Sequence, residues 1–410
     1  MKFNRVAFYT LGCKVNQYET EGLKKQFLDN GFNAVEFEEE SDIYIINSCT
    51  VTSIADKKTR NMLRRAKKSN RNAIVIATGC YAQTNGKELS EIEEIDYVVG
   101  NTDKNAIFNL ITKIEREETL PKLIVKNIFD EKIYEEIEFS TLREMSRAYI
   151  KIQDGCNNFC SYCKIPFARG GNRSRKLNSI LEEVETLAKD GFKEIILIGI
   201  NLGAYGEDLE EEFTLEDVLE NCCKVEGIER IRLGSIYPDK INDRFINLLK
   251  TEKKMMPHLH ISLQAGDDEI LELMKRKYKR AEVIEVLSKL KKATNKPITY
   301  IVGPCVSKSY LKSKNFMYKN HPEVISNLYK LYKETILEIY TSIDIPVIFQ
   351  PESTLEMEGF TKEEFTQERY GDKGNVKNVP DFVHMDSSFG EIILNNIIPK
   401  EEDNSSPFNS

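Results

Sequence analysis

The 410-residue sequence predicts an α/β protein: an N-terminal open parallel sheet with helices on both faces, then a complete or partial β/α barrel, then an atypical C-terminal region. Three observations carry this expectation. Short apolar runs alternate with polar, helix-like stretches from residue 1 to about 115, the same rhythm returns at Ala148, and it fades beyond about Val302.

In the first part, VAFYTLGC (6–13), DIYIINSC (42–49), AIVIATGC (73–80) and YVVG (97–100) read as strands, each short, apolar and bounded by turn residues. NQYETEGLKKQFLDNG (16–31), a basic helix and a further helix separate them, which is the pattern of a parallel sheet. Residues 116–145 are polar and charged, with one strand-like piece, KLIVKNIF (122–129), and read as a linker. YIKIQ (149–153), EIILIG (194–199), RIRLGSI (230–236), HLHISL (258–263) and PITYIV (297–302) then alternate with helices, among them LNSILEEVETLAKDGF (177–192), apolar at three- and four-residue steps. A barrel of this kind keeps its chemistry at the carboxyl ends of its strands. The expected division is 1–115, 116–145, a barrel over 146–345, and 346–410. In that last part only TSIDIPVIF (341–349), which straddles its start, looks like a strand; a helical stretch (about 306–340) precedes it, 352–378 is polar, and EEDNSSPFNS is expected to be disordered.

Composition excludes several classes. Nine Cys in 410 residues is no disulfide scaffold, no segment approaches the eighteen or so apolar residues that span a bilayer, and Met1 to Cys13 does not read as a signal peptide. A cytoplasmic protein with reduced thiols is the expectation. Net charge is −8 and the isoelectric point near 5.5, so the surface as a whole is not built for nucleic acid. Two local runs differ: residues 57–71 carry eight Lys or Arg in fifteen positions, and 275–280 carry five in six. Each reads either as a solvated helix face or as a patch for RNA phosphate.

The thiols are the chemical signal. Cys156, Cys160 and Cys163 lie within eight residues on the loop leaving a strand, and three soft ligands so close point to one soft metal centre. A structural zinc site would need a fourth ligand nearby, but the next Cys is Cys222 and the first His is His258. A four-iron cubane held by three Cys instead keeps one iron open for a further ligand. Cys13, Cys49 and Cys80 each end a strand of the N-terminal sheet, and those ends share one edge, so three thiols remote in sequence are expected to meet. Each could be a small buried apolar residue; a second three-thiolate cluster is the sharper reading.

Cys-x-x-x-Cys-x-x-Cys with Tyr162 before the last Cys resembles the radical S-adenosylmethionine (SAM) enzymes. Beside the N-terminal three-Cys domain, LGCKVNQYET (11–20), NSCTVT (47–52), TGCYAQ (78–83), PFARGGNRSR (166–175), LIGINLGAYG (197–206) and HLHISLQAGDDEILELMKRKY (258–278) are similar to the methylthiotransferases. KVNQYE and GINLGAYG are most similar to the branch acting on N6-threonylcarbamoyladenosine next to the tRNA anticodon. Other branches act on isopentenyladenosine in tRNA or on a ribosomal-protein aspartate. From the fifth barrel strand on the pattern departs: Tyr300 stands where the family has Asp, as Tyr237 already does for Glu on the third.

The resemblance implies two [4Fe-4S] clusters, an auxiliary one on Cys13, Cys49 and Cys80 and a SAM-cleaving one on Cys156, Cys160 and Cys163. SAM would chelate the open iron of the second. Gly199, Asn201, Ser235 and Gln264 are the implied lining of the SAM pocket, and Arg169, Arg173 and Arg175 would bind SAM carboxylate or RNA phosphate, which suit a guanidinium fork. No side-chain acid or base is implied as catalytic. The implied partners are a tRNA anticodon stem-loop, an electron donor such as a flavodoxin or ferredoxin, and a sulfur source, with no membrane. A rival from another class is an iron-sulfur RNA-binding protein without turnover.

Overall fold

The computed structural model describes residues 3–50, 53–102, 104–137 and 147–294, with seven short strands between 300 and 385. Two compact units, Met1–Thr294 and Asn295–Ser410, make up the chain. The first begins β1 (Arg5–Thr10), α1 (Lys14–Asp29), β2 (Asn33–Val35), β3 (Ile43–Ser48), α2 (Ser53–Ser69), β4 (Ile74–Gly79), α3 (Cys80–Thr84), α4 (Gly86–Ser90), β5 (Tyr97–Val99), α5 (Ala106–Glu115) and β6 (Leu123–Ile124). All six strands are parallel, in the order 2-1-3-4-5-6. The strand-like piece between the two expected domains is thus a strand of this sheet, β6, paired to β5.

Alternation along β3 shows why the sheet is covered twice. Ile43 and Ile45 join Leu23 and Phe27 of α1 and Ile107 and Leu110 of α5, whereas Tyr44 and Ile46 join Met62 and Leu63 of α2 and Leu89 of α4. Strands apolar on both sides demand helices on both faces. The strand order reverses between β1 and β3, so the loops leaving them diverge and open a crevice at the carboxyl edge.

The same unit continues with β7 (Ala148–Lys151), β8 (Gln153–Asp154), α6 (Ile165–Arg169), β9 (Arg173–Ser174), α7 (Leu177–Lys189), β10 (Glu194–Ile198), α8 (Leu215–Lys224), β11 (Arg230–Leu233), β12 (Ser235–Ile236), α9 (Asp243–Thr251), β13 (His260–Ile261), α10 (Asp268–Leu273) and α11 (Arg280–Thr294). Strands β7, β10 and β11 pair in parallel, as do β12 and β13, giving the strand-helix rhythm of a partial barrel. α1 serves both halves: Val15 and Tyr18 on its outer side pack with Ile196 and Ile198 of β10. Each such side chain contributes about 1.5–3 kcal/mol on burial, which fastens the sheet to the barrel.

The second unit contains β14 (Tyr300–Ile301), β15 (Val306–Ser307), β16 (Val347–Ile348), β17 (Leu355–Met357), β18 (Phe360–Thr361), β19 (Thr366–Glu368) and β20 (Pro380–Met385). β16 falls in the expected TSIDIPVIF strand and pairs in parallel with β14. β15 pairs in parallel with β18, which is antiparallel to β17, and β19 pairs antiparallel with β20. The last four of these strands lie where the sequence shows no strand period. The expected helical stretch, apart from β15, and the tail lie outside the described residues. No helix among the described residues is long and apolar enough to cross a membrane.

Candidate functional site

Cys13 caps the N-terminus of α1, Cys49 follows β3, and Cys80 opens α3, so all three leave the carboxyl edge of the sheet. Cys49 and Cys80 are buried and Cys13 is exposed. Two glycines show how closely the strand-end loops approach. A Cβ on Gly12 (φ +108°) would lie 2.8 Å from Cys49 Cβ and 3.0 Å from its Sγ, and one on Gly79 (φ +91°) would lie 2.4 Å from the Ser48 carbonyl oxygen. Asn16 locks the first two loops together, its Nδ2 donating to the carbonyls of Leu11 (2.7 Å) and Ser48 (2.9 Å).

The other three thiols occupy a loop whose two ends are pinned by the antiparallel pair β8 and β9. Cys156 N–H donates to Gly170 O (3.0 Å), Cys163 N–H donates to Cys160 O (2.9 Å), and Phe159 turns the chain at φ +46°. Cys156 and Cys160 are buried, Cys163 half-buried. Burial, and then the neighbouring sulfurs, push the Cys156 and Cys163 thiols up from their ordinary value. Bound iron would relieve that cost, since a cation favours the thiolate. Among the described residues no three His, Cys, Asp or Glu side chains converge on one point as a single metal ion requires.

Two donors reach this trio's sulfurs. Asn201 Nδ2 lies 3.9 Å from Cys156 Sγ, and Arg276 Nη1 donates to Cys160 Sγ at 3.3 Å. Arg276 is itself held by the Ser262 carbonyl (3.0 Å) and by the faces of Tyr237 and Tyr278, 4.3 and 5.2 Å from their centroids. In the sequence this arginine stands in the basic run 275–280, and Tyr237 and Tyr278, which frame it, are the signal there that it is held.

Of the expected pocket residues, Gly199 and Asn201 follow β10, where the Asn201 N–H donates to Gln153 Oε1 (2.7 Å). Ser235 is exposed on β12 with its Oγ 3.2 Å from His260 Nδ1, and Gln264 is exposed after β13 in a left-handed conformation (φ +69°). These four stand at strand ends, on the edge that carries the second trio.

Arg169 and Arg175 are buried and paired within the chain. Arg169, expected to meet SAM carboxylate or RNA phosphate, is 1% exposed, with Nη1 on Glu19 Oε1 (2.8 Å) and Asp154 Oδ1 (3.0 Å) and Nη2 on Glu19 Oε2 (3.0 Å) and Asn16 Oδ1 (2.5 Å). Arg175 is buried with Nε on Glu136 (2.8 Å) and Nη1 on Glu183. Arg173, also buried, gives Nη1 to the Arg169 carbonyl (2.8 Å). Carboxylates and carbonyls of the chain already hold these forks, because a charge taken out of water must be paired where it lies.

Around Arg169 a buried ionic cluster joins the two halves. Glu19 accepts from Lys104 as well and from Lys151 Nζ (2.7 Å), which also bonds Asp154 Oδ2 (2.7 Å). Burial works against both lysines: Lys104, bonded to Glu19, is lowered, whereas Lys151, bonded to both Glu19 and Asp154, is raised. The basic run on α2 is also partly spent at home, in pairs Arg60–Glu88 (3.4 Å), Arg64–Glu94 (3.9 Å), Arg65–Glu38 (3.7 Å) and Lys67–Asp96 (2.8 Å).

An open sheet with a strand-end thiol trio, fused to a partial barrel with a second trio, defines a two-part radical SAM architecture. Known proteins agree. Residues 5–100 match the uncharacterized protein family UPF0004 and residues 150–313 the radical SAM superfamily. The chain is 43% identical over 298 residues to the threonylcarbamoyladenosine tRNA methylthiotransferase MtaB of Aquifex aeolicus, covering 72% of this chain and 71% of that one. The Bacillus subtilis protein of the same name is also 43% identical, with 70% of this chain and 64% of the relative covered, so the chain spans less than two thirds of that relative's length. A ribosomal protein uS12 methylthiotransferase RimO of Thermoanaerobacter sp. is 34% identical, covering 73% and 69%. Among solved structures, the radical SAM methyltransferase TsrM of Kitasatospora setae shares the fold at TM-score 0.57 and 14% identity, over 84% of this chain and 72% of that one. This chain belongs to the radical SAM methylthiotransferase family. Membership implies SAM and a [4Fe-4S] cluster as cofactors.

One prediction arises directly. Arg276→Met will lower the midpoint potential of a cluster reconstituted on the expected ligands Cys156, Cys160 and Cys163, because a charge-assisted hydrogen bond worth about 1.5–3 kcal/mol leaves a thiolate. An EPR-monitored redox titration reads the shift; an unchanged potential would show that the contact has no electronic consequence.

Proposed function

We propose that this chain methylthiolates C2 of a tRNA adenosine next to the anticodon, converting N6-threonylcarbamoyladenosine to its 2-methylthio derivative. The observation that supports it most is the presence of two separate thiol trios, one at each strand-end edge, joined by a single buried hydrogen-bonded network. Relatives bearing that tRNA activity in their names, at 43% identity, point the same way.

When bound, a cluster on Cys156, Cys160 and Cys163 would supply the electron that splits SAM, and a second on Cys13, Cys49 and Cys80 the sulfur to be transferred. The chain's own residues bind and orient. Asn201 and Arg276 donate to the sulfurs of the first trio, and Ser235 and Gln264 are exposed at the barrel edge for SAM. Lys57, Lys58, Lys68 and Arg71 are the cations of the α2 run outside its four ion pairs, and we assign them to RNA phosphate. The auxiliary domain, expected over 1–115, is taken to extend to β6 at Leu123–Ile124, and the barrel is taken as 146–345. An electron donor of the flavodoxin or ferredoxin type and a sulfur source complete the turnover, in the cytoplasm.

The 34% identity to a ribosomal-protein enzyme keeps a peptide substrate as the second reading. Reconstituted protein, SAM and reductant should be offered a tRNA carrying N6-threonylcarbamoyladenosine, one carrying isopentenyladenosine, and a ribosomal-protein peptide. Mass spectrometry is expected to find the methylthio group on the first alone. Product on either of the others would move the substrate, and absence of 5′-deoxyadenosine would leave an iron-sulfur protein without turnover.

A further inference from the structure

We infer that Arg169 is a positioning residue: it holds the two cysteine trios in one register and presents its remaining N–H to the anionic iron-sulfur group at Cys80. The inference rests on the two-cluster reading above.

Arg169 ends α6, six residues after Cys163, and its guanidinium reaches both trios through one further side chain each. On one side Nη2 donates to Asn16 Oδ1 (2.5 Å), whose Nδ2 holds the carbonyls of Leu11, two residues before Cys13, and Ser48, next to Cys49. On the other Nη1 donates to both oxygens of Asp154 (3.0 Å each), and Asp154 Oδ1 accepts the N–H of Gly155, the residue before Cys156 (2.8 Å). The backbone leading into Cys13 and Cys49 is therefore connected to that leading into Cys156 by an unbroken line of buried hydrogen bonds. Asn16, Asp154 and Arg169 are all buried, so no water competes for these bonds and the line is stiff.

Two further observations point to an anion. Arg169 Nε is buried and has no acceptor among the described residues, an expensive state for a charged donor. Four buried cations, Lys104, Lys151, Arg169 and Arg173, are ion-paired to only two carboxylates among the described residues, Glu19 and Asp154, which leaves positive charge over. α6, which Arg169 ends, packs against α3, which Cys80 opens. A negatively charged cluster there would take the spare charge and the spare N–H together.

The test uses the full chain with Cys156, Cys160 and Cys163 replaced by Ser, so that only the N-terminal trio can hold iron. With Arg169→Lys, which keeps the charge but removes Nε and the fork, the EPR signal is expected to change and the midpoint potential to fall; a residue that only supports the fold would move neither. Should that variant not fold, Asn16→Ala leaves Arg169 on its carboxylates while cutting the line to the N-terminal loops. It is expected to weaken iron retention against a chelator about tenfold or more, as loss of support behind a metal ligand does. If the parent protein binds no iron, the two-cluster reading falls and this inference with it. If the parent binds iron and the variants match its potential, signal and retention, the reading stands and the role of Arg169 is wrong.

Discussion

Replacing Cys13, Cys49 and Cys80 together by Ala will lower the iron content of the anaerobically reconstituted protein from about eight to about four per chain, with acid-labile sulfide falling in step. The argument is local. These three thiols leave one sheet edge at neighbouring strands, and the Cβ position of Gly12 lies within 3.0 Å of the Cys49 sulfur. Cys13 also sits at the N-terminus of the sixteen-residue α1, whose positive end favours a bound anionic group. The second trio lies on another loop and should retain its iron, so 5′-deoxyadenosine should still form while the methylthio product disappears. If parent and variant both hold about four irons, the N-terminal thiols are packing residues, and the chain keeps SAM cleavage but loses its sulfur-carrying site.

Glu19→Gln will destabilise the protein by about 3–5 kcal/mol, the usual consequence of removing one partner from a buried charge network. Lys104, Lys151 and Arg169, each at most 2% exposed at the side chain, all place a donor on this carboxylate. Burial on its own raises the Glu19 pKa, but Arg169, Lys104 and Lys151 outweigh it and hold the group well below the carboxylate range. The folded value is thus depressed, so the stabilisation is complete above the unfolded value of about 4.3 and is lost as pH falls through the folded one. Urea unfolding of parent and variant should show a gap that is constant at neutral pH and narrows only in acid. A gap under about 1 kcal/mol at pH 7 would mean that the network exchanges partners freely.

Most of the architecture was legible because it follows from local pattern. DIYIINSC and AIVIATGC are apolar at every turn of the pleat, which only a strand covered on both faces tolerates, and β3 and β4 lie within them. KLIV read as part of a linker because two strand residues between charged neighbours make a weak local signal; pairing with β5 is what makes it a strand. The thiols were legible too, since strand-end placement and close spacing are sequence properties. Arg169 and Arg175 were not: an arginine in a Gly-rich loop reads as an open anion site, and only packing showed Glu19 and Glu183, 150 and 8 residues away, closing on them.

The sequence by itself determined the strand-helix alternation of residues 1–115 and 148–294, the position of both cysteine trios at strand ends, and the family to which the chain belongs. These depend on periodicity and on residues near one another in the chain. Tertiary structure alone decided that α1 is shared between sheet and barrel, that Arg276 lies against Cys160, and that Arg169 faces Glu19, Asp154 and Asn16 rather than solvent. Each of those is a meeting of side chains from distant segments, and which buried charge finds which partner is settled by the packing of helices across a sheet, for which no spacing along the chain supplies a rule.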